Sequence, residues 1–210
     1  MTHLLHIDAS PRGDRSISRT LAKQFVSDWQ AAHPGDTVTY RDIGHDPVPF
    51  VTEAWIAGAY TPPDQHSPES VEAMRISNEL VDEFLAADRY VFSVPMYNFS
   101  IPANFKAYLD QIVRVGRTFS VEADGSYKGL VQGKKLLIIT ARGGSYPKDT
   151  PYFAYDMQEP YLRLIFGFIG ITDITDIEVI HADNLMGGDD ARQQSLTAAK
   201  TAIQNAVAVG

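Results

Sequence analysis

The sequence predicts an α/β fold in which one open, doubly wound parallel sheet carries helices on both faces. Short apolar runs, closed by glycine, proline or polar clusters, alternate with longer stretches of helical period, the pattern of successive β-α-β units. The 210 residues, 44% of them hydrophobic, suffice for one core that buries roughly 70% of the unfolded chain's surface. No internal repeat or low-complexity linker divides the chain, so a single domain over residues 1–210 is expected.

The first strand is Leu4-Leu5-His6-Ile7, ending at Asp8-Ala9-Ser10-Pro11-Arg12-Gly13. Leu21, Phe25 and Trp29 then recur every fourth residue, one face of a helix. Ser16 and Ser18 stand at its start, where a hydroxyl can accept from orphan N–H groups. A second strand is expected over residues 37–40 and a third at Tyr90-Val91-Phe92-Ser93-Val94. Between them Ser67-Pro68-Glu69 opens a helix with a hydroxyl cap, proline in the first turn and an acid near the positive dipole end. Its apolar face reads as Val71, Met74, Val81 and Leu85. Residues 42–68, with Pro47, Pro49, Pro62 and Pro63, read as an excursion over the sheet edge. Pro102 opens a further helix with Phe105, Leu109 and Ile112 inward. Asp124-Gly125-Ser126, flanked by Phe119 and Tyr127, reads as a hairpin inserted before the fourth strand, Lys135-Leu136-Leu137-Ile138-Ile139-Thr140. A fifth strand is expected over residues 174–180 and a closing helix over 189–208. Five strands suit either the flavodoxin-like order or a truncated Rossmann order.

Composition excludes several chemistries. Without cysteine there is no disulfide, thiolate nucleophile or cysteine-ligated metal centre. The net charge of −8 repels nucleic acid, and no local basic patch offsets it. Met1-Thr2-His3-Leu4-Leu5-His6 offers no basic leader with an apolar core, and no run approaches the length of a membrane span. A soluble cytoplasmic protein is expected. His3 and His6 lie an odd number of residues apart on a strand and face opposite sides, against a shared metal. His33, His45, His66 and His181 read as solvent-facing, and Asp173, Asp176 and Glu178 as a solvated edge. No Gly-x-Ser-x-Gly elbow supports a hydrolase.

In an open α/β sheet, ligands bind beyond the carboxyl ends of the strands. Three such ends carry compatible residues. The loop Ser10-Pro11-Arg12-Gly13-Asp14-Arg15-Ser16-Ile17-Ser18 puts three hydroxyls and two guanidiniums around a helix N-terminus, which favours an anion. It has neither a Gly-Lys-Ser/Thr ending nor the Gly-x-Gly-x-x-Gly turn, so a monophosphate fits better than a pyrophosphate. The third strand ends in Pro95-Met96-Tyr97-Asn98-Phe99-Ser100-Ile101-Pro102, a stiff, flat, partly polar surface suited to an aromatic heterocycle. The fourth ends in Thr140-Ala141-Arg142-Gly143-Gly144-Ser145, whose glycine N–H groups can donate to a carbonyl edge or a developing anion. Together they describe a site with a phosphate end, an aromatic face and a polar rim.

With these residues in place, the chain resembles the FMN-dependent NADH-azoreductase and quinone reductase family. The likeness rests on Ser10-Pro11-Arg12 with Ser16-x-Ser18-x-x-Leu21, on Pro95-Met96-Tyr97-Asn98-Phe99, on Arg142-Gly143-Gly144 and on Phe168-Ile169-Gly170-Ile171-Thr172-Asp173. The resemblance implies a three-layer flavodoxin-like fold with a five-stranded parallel sheet in the order 2-1-3-4-5. It implies FMN as cofactor, with Ser10, Ser16, Ile17 and Ser18 at the phosphate. Pro95, Met96, Tyr97, Asn98 and Phe99 would line the isoalloxazine, and Thr140, Ala141, Arg142, Gly143 and Gly144 its pyrimidine edge. It implies NADH or NADPH as co-substrate, quinones and azo compounds as acceptors, and a homodimer in which Phe119 and Phe168 serve the substrate pocket. The chemistry would lie on the flavin, with no protein nucleophile. The aromatic stretches 55–60 and 152–155 also point to a homodimer, being too apolar for loops left open to water. A flavodoxin-type electron carrier is the alternative.

Overall fold

Strand and helix alternate from the first residues. In the computed structural model, which describes residues 1–172 and 176–209, β1 (His3–Asp8) is followed by α1 (Ile17–Ala32), β2 (Thr37–Asp42), α2 (Glu53–Ala59), α3 (Pro68–Ala86) and β3 (Arg89–Pro95). Then come α4 (Ala103–Ile112), β4 (Phe119–Val121), β5 (Tyr127–Gly129), β6 (Lys135–Ala141), α5 (Glu159–Ile169), β7 (Ile177–Ala182) and α6 (Asp189–Val209). The main sheet has the order β2-β1-β3-β6-β7, and every neighbouring pair in it is parallel. Counting main-sheet strands alone, this is 2-1-3-4-5, the flavodoxin-like alternative.

Alternation along each strand sends side chains to two cores. Leu5, Ile7, Phe92, Val94 and Ile138 meet Leu80, Phe84, Phe105, Leu109 and Phe166 from α3, α4 and α5 on one face. Leu4, Val91, Leu137 and Ile139 meet Leu21, Phe25, Trp29 and Ile203 from α1 and α6 on the other. The register pairs Asp8 with Asp42 and Ser93, Pro95 with Ala141, and Ala141 with Ala182. The carboxyl ends of all five strands therefore reach one edge.

Several expectations shift. On α3 the buried face is Ser70, Met74, Ser77, Leu80, Val81 and Phe84. That stripe advances by four and three residues in turn, so Val71 and Leu85 fall beside it, Val71 exposed and Leu85 half-buried. The stretch 42–68 is not all loop, because Thr52 caps α2 by accepting from the Trp55 N–H. Trp55 itself is buried, its Nε1 donating to Gln111 at 2.8 Å, which leaves Ile56 and Tyr60 as the large exposed apolar residues of 55–60. The second strand runs on to Asp42. The described part of the last strand starts at Ile177 and runs on to Ala182, and the expected Ile174 start, like Asp173, lies outside the described residues.

The expected hairpin is present, β4 pairing antiparallel with β5. It docks on the end of α5, which stops at Gly170 with φ of 120°, a conformation only glycine adopts cheaply. A Cβ on Gly129 would stand 2.3 Å from the Gly170 nitrogen, so hairpin and helix end touch backbone to backbone. No described helix is long and apolar enough to cross a membrane.

Candidate active site

The loop after β1 folds back onto the start of α1. Ser10, Ser16 and Ser18 are all buried. Ser16 is the helix cap, its hydroxyl accepting from the Arg19 N–H at 3.5 Å. Among the described residues the Ser18 hydroxyl makes one hydrogen bond, with the Ser16 hydroxyl at 3.3 Å. The Ile17 and Ser18 N–H groups donate to no other described residue, and no acid lies in the first turn of α1. Two orphan amides, three buried hydroxyls and the positive end of a 16-residue helix thus stand together at the loop where an anion is expected.

Beneath this loop lies a polar network that the sequence patterns did not expose. Asp8, fully buried, accepts from Ser93 Oγ at 2.5 Å and Tyr40 at 2.9 Å, and His6 Nε2 lies 3.2 Å away. Burial pushes the Asp8 carboxyl up, but the hydrogen bonds from His6, Ser93 and Tyr40 outweigh it and hold it below its ordinary value. Burial also works against the charge on Asp42, yet Arg19 and His45 beside it hold that carboxyl well below the usual range. Burial, with Asp8 next to it, raises the Tyr40 phenol. Asn104, at the start of α4, donates to the carbonyls of Ala9 and Ile43, both at 2.9 Å, and ties the loop to β2. An acid ending an apolar strand was the one visible signal of this network; Arg19 and Asn104 offered none.

The end of β3 turns sharply. Tyr97 and Ser100 exchange backbone hydrogen bonds of 2.9 and 3.1 Å, and the two residues between them, Asn98 and Phe99, have φ of 47° and 69°. This is a two-residue turn of the left-handed kind that glycine usually fills, so it stores strain at the mouth of the site. It is held from outside by the Met157 N–H, which donates to the Phe99 carbonyl at 3.0 Å. Tyr97 and Phe99 stay part-exposed. Phe99 meets Tyr155 at 5.3 Å and Tyr146 at 6.4 Å between ring centroids.

At the end of β6 the Arg142 side chain is engaged through Nε and Nη1. Its guanidinium pairs with Asp156 at 2.6 Å and Asp183 at 2.7 Å while almost wholly buried. Thr140 lies 2.8 Å from His181 Nδ1, and Ala141 accepts from the Met96 N–H at 3.0 Å. What this segment holds open for a ligand is the pair of N–H groups of Gly143 and Gly144, neither of which donates to another described residue. Phe99, Gly144, Ser145, Tyr146, Tyr152, Tyr155 and Asn184 line a cleft of about 460 Å³.

His181 is not solvent-facing. It bridges Thr140 and Glu159, with Nε2 2.8 Å from the carboxylate. The His181 contact, backed by Arg163, takes the Glu159 carboxyl down to about 2 against the cost of burial. Phe119 and Phe168 do meet, at 4.8 Å, with Tyr127 beside both. They form a separate cluster on the hairpin and the end of α5, and no ring contact joins it to Phe99 among the described residues.

An anion pocket at one end, a part-exposed aromatic turn and open amides at the other, all on the carboxyl edge of a 2-1-3-4-5 sheet, define a binder of a flat ring system carrying one terminal phosphate. The chain belongs to a family of flavodoxin-like fold, whose model matches residues 2–207. It is 65% identical over 209 residues to FMN-dependent NADH:quinone oxidoreductase 2 of Trichormus variabilis, with 99% of each chain covered. It is 63% identical over the same share to an FMN-dependent NADH:quinone oxidoreductase of a Nostoc species. Among solved structures it superimposes on an azoreductase from Bacillus anthracis with a TM-score of 0.89 at 28% identity, covering 99% of both chains. An FMN-dependent NADH-azoreductase from Bacillus anthracis in complex with FMN gives 0.85 at 25% identity, covering 99% of this chain and 100% of that one.

Proposed function

We propose that this protein is an FMN-dependent oxidoreductase that passes reducing equivalents from NADH to quinones and azo compounds. The observation that carries the reading is the joint placement of the serine anion pocket and the aromatic–amide cleft on one sheet edge, in a chain so close to oxidoreductases of that name. The donor set fits FMN: the Ser10, Ser16 and Ser18 hydroxyls with the Ile17 and Ser18 amides suit a phosphate monoester, with no lysine or glycine fingerprint for a second phosphate. Residues 96–99 would flank the ring system, and the Gly143 and Gly144 N–H groups would donate to its polar edge. Bound there, FMN would supply the redox chemistry, taking hydride from a nicotinamide and delivering electrons to an acceptor.

The chain's own part is positional and electrostatic. The 97–100 turn, fixed by Met157, covers one side of the site with a surface that cannot relax without losing its hydrogen bonds. Arg142 pins the start of α5 through Asp156 and the end of β7 through Asp183, so the glycine amides are presented by a braced segment. Amides aimed at a site of developing negative charge stabilise it without reorganising. Tyr146 and Tyr155 leave a flat opening suited to nicotinamide, quinone and azo acceptors alike.

The functional unit in this reading is a homodimer working in the cytoplasm. Phe50, Tyr60, Tyr127 and Leu164 each expose about two-thirds of their surface or more, more apolar area than a monomer usually leaves open. A second chain covering Phe119 and Phe168 would give those rings their place in the substrate pocket. Light scattering of the FMN-loaded protein is expected to give twice the chain mass, and a monomer mass would contradict this part. For the activity itself, heat or acid should release FMN from the purified protein, and under anaerobic conditions NADH should be consumed beyond about one equivalent per bound flavin only when a quinone is present. Release of FAD, or failure of FMN to reconstitute the apoprotein, would overturn the proposal.

A further inference from the structure

We propose that Arg19 is a positioning residue for the terminal phosphate of the cofactor, a role that rests on the FMN reading above. It sets the Ser10 peptide so that the loop presents donors, and no acceptor, to the anion. Arg19 lies in the first turn of α1 and is only 3% exposed. Its Nε donates to the Ser10 carbonyl at 2.6 Å. Nη1 reaches Asp42 at 2.7 Å and Asp8 at 3.4 Å, and Nη2 holds the second Asp42 oxygen. One planar fork therefore ties the ends of β1 and β2 to the first residue of the phosphate loop.

Stability alone is a poor reason for this arrangement, since the desolvation of buried ion pairs cancels much of their attraction. Geometry gives a better one. A loop that binds an anion must turn its N–H and O–H groups toward the ligand and its carbonyls away, because a carbonyl oxygen aimed at phosphate repels it. The Nε contact holds the Ser10 carbonyl on the guanidinium side. The Ser10 hydroxyl accepts from the Arg12 N–H at 3.3 Å, which leaves its own hydrogen free to donate. The backbone after β2 closes over the same contact: a Cβ on Gly44 would lie 2.3 Å from the Ser10 oxygen and 2.5 Å from Arg19 Nη2. The Ser10 peptide cannot turn without displacing that chain. Asp42 is itself aimed by the Gly44 and His45 N–H groups, both at 3.1 Å. Lysine would keep the charge but not the fork.

The test compares two flavins that differ only in the phosphate. Apoprotein is titrated with FMN and with riboflavin, following the quenching of flavin fluorescence, for wild type and Arg19→Lys. Wild type should prefer FMN. In Arg19→Lys the ratio of FMN to riboflavin affinity should fall about tenfold or more, the scale of a lost charge-assisted hydrogen bond, while riboflavin affinity stays within about twofold. An unchanged ratio, or an equal fall for both flavins, would overturn the proposal and leave Arg19 an element of the fold only. Should Arg19→Lys not fold, Asp42→Asn carries the same comparison, because it loosens the fork from β2 with the guanidinium still in place; the same selective loss is expected and an equal loss overturns. A wild-type protein that binds riboflavin as tightly as FMN would remove the phosphate site, and with it the FMN reading itself.

Discussion

Replacing Ser18 with alanine separates cofactor binding from folding, because the structure assigns the helix cap to its neighbour. Ser16 accepts from the Arg19 N–H, whereas among the described residues the Ser18 hydroxyl hydrogen-bonds only Ser16 Oγ, at 3.3 Å. Ser16→Ala should therefore cost the apoprotein about 1 kcal/mol. Ser18→Ala should cost well under about 1 kcal/mol, the value of one long neutral hydrogen bond. In the proposed FMN complex the same hydroxyl would face a dianion, and losing a hydrogen bond to a charged group costs about 1.5–3 kcal/mol. That is about a 10- to 150-fold rise in Kd. Fluorescence titration of the apoprotein gives Kd, and a melt of the apoprotein gives the stability change, expected to be below about 3 °C for a chain of this size. A Ser18→Ala protein with unchanged FMN affinity, or one whose apoprotein melts as low as Ser16→Ala, would refute the assignment.

Three further outcomes follow from other parts of the structure. Gly170→Ala should lower the melting temperature by about 5 °C or more, because its Cβ would meet the Val131 carbonyl at 2.7 Å at a φ of 120°; an unchanged melt would mean that the hairpin does not dock as described. Glu159 titrates at about 2 when folded, below its ordinary 4.5, so its pairing with His181 and Arg163 stabilises fully above the ordinary value and is lost as pH falls toward about 2. The difference in melting temperature between wild type and Glu159→Gln should accordingly be constant near neutrality and shrink in acid; a pH-independent difference would deny the ionic pairing. Under the proposal that one cleft serves both flat substrates, initial rates at several fixed quinone concentrations should give parallel double-reciprocal lines, and intersecting lines would require a second site.

The strand ends were legible because their chemistry is local. Ser10, Ser16 and Ser18, the run from Pro95 to Phe99 and the Gly143-Gly144 pair announce themselves by residue type beside apolar runs, and the sheet order brings them to one edge. What was not legible depends on partners distant in sequence. Arg142 read as part of the ligand-facing rim and Arg19 gave no signal, yet each commits its guanidinium to carboxylates more than ten residues away. His181 read as exposed because nothing local showed that Thr140 and Glu159 would enclose it. The strained turn at Asn98 and Phe99 was hidden for another reason, since no glycine marks it and the Met157 and Tyr155 contacts that help hold it come from far along the chain. On α3 the error was one of phase: Val71 and Leu85 are apolar, but the sheet takes the stripe through Ser77 and Phe84 instead.

The central claim is that this chain holds FMN between its serine loop and its glycine amides and uses it to carry electrons from NADH to a quinone. An anaerobic two-step titration followed by absorption tests it most directly. One equivalent of NADH should bleach the yellow protein in the absence of any acceptor, and one equivalent of benzoquinone added afterwards should restore the colour, with both steps lost in the apoprotein and regained with FMN. A protein whose colour survives NADH, or whose bleached form is not restored by the quinone, would contradict the account.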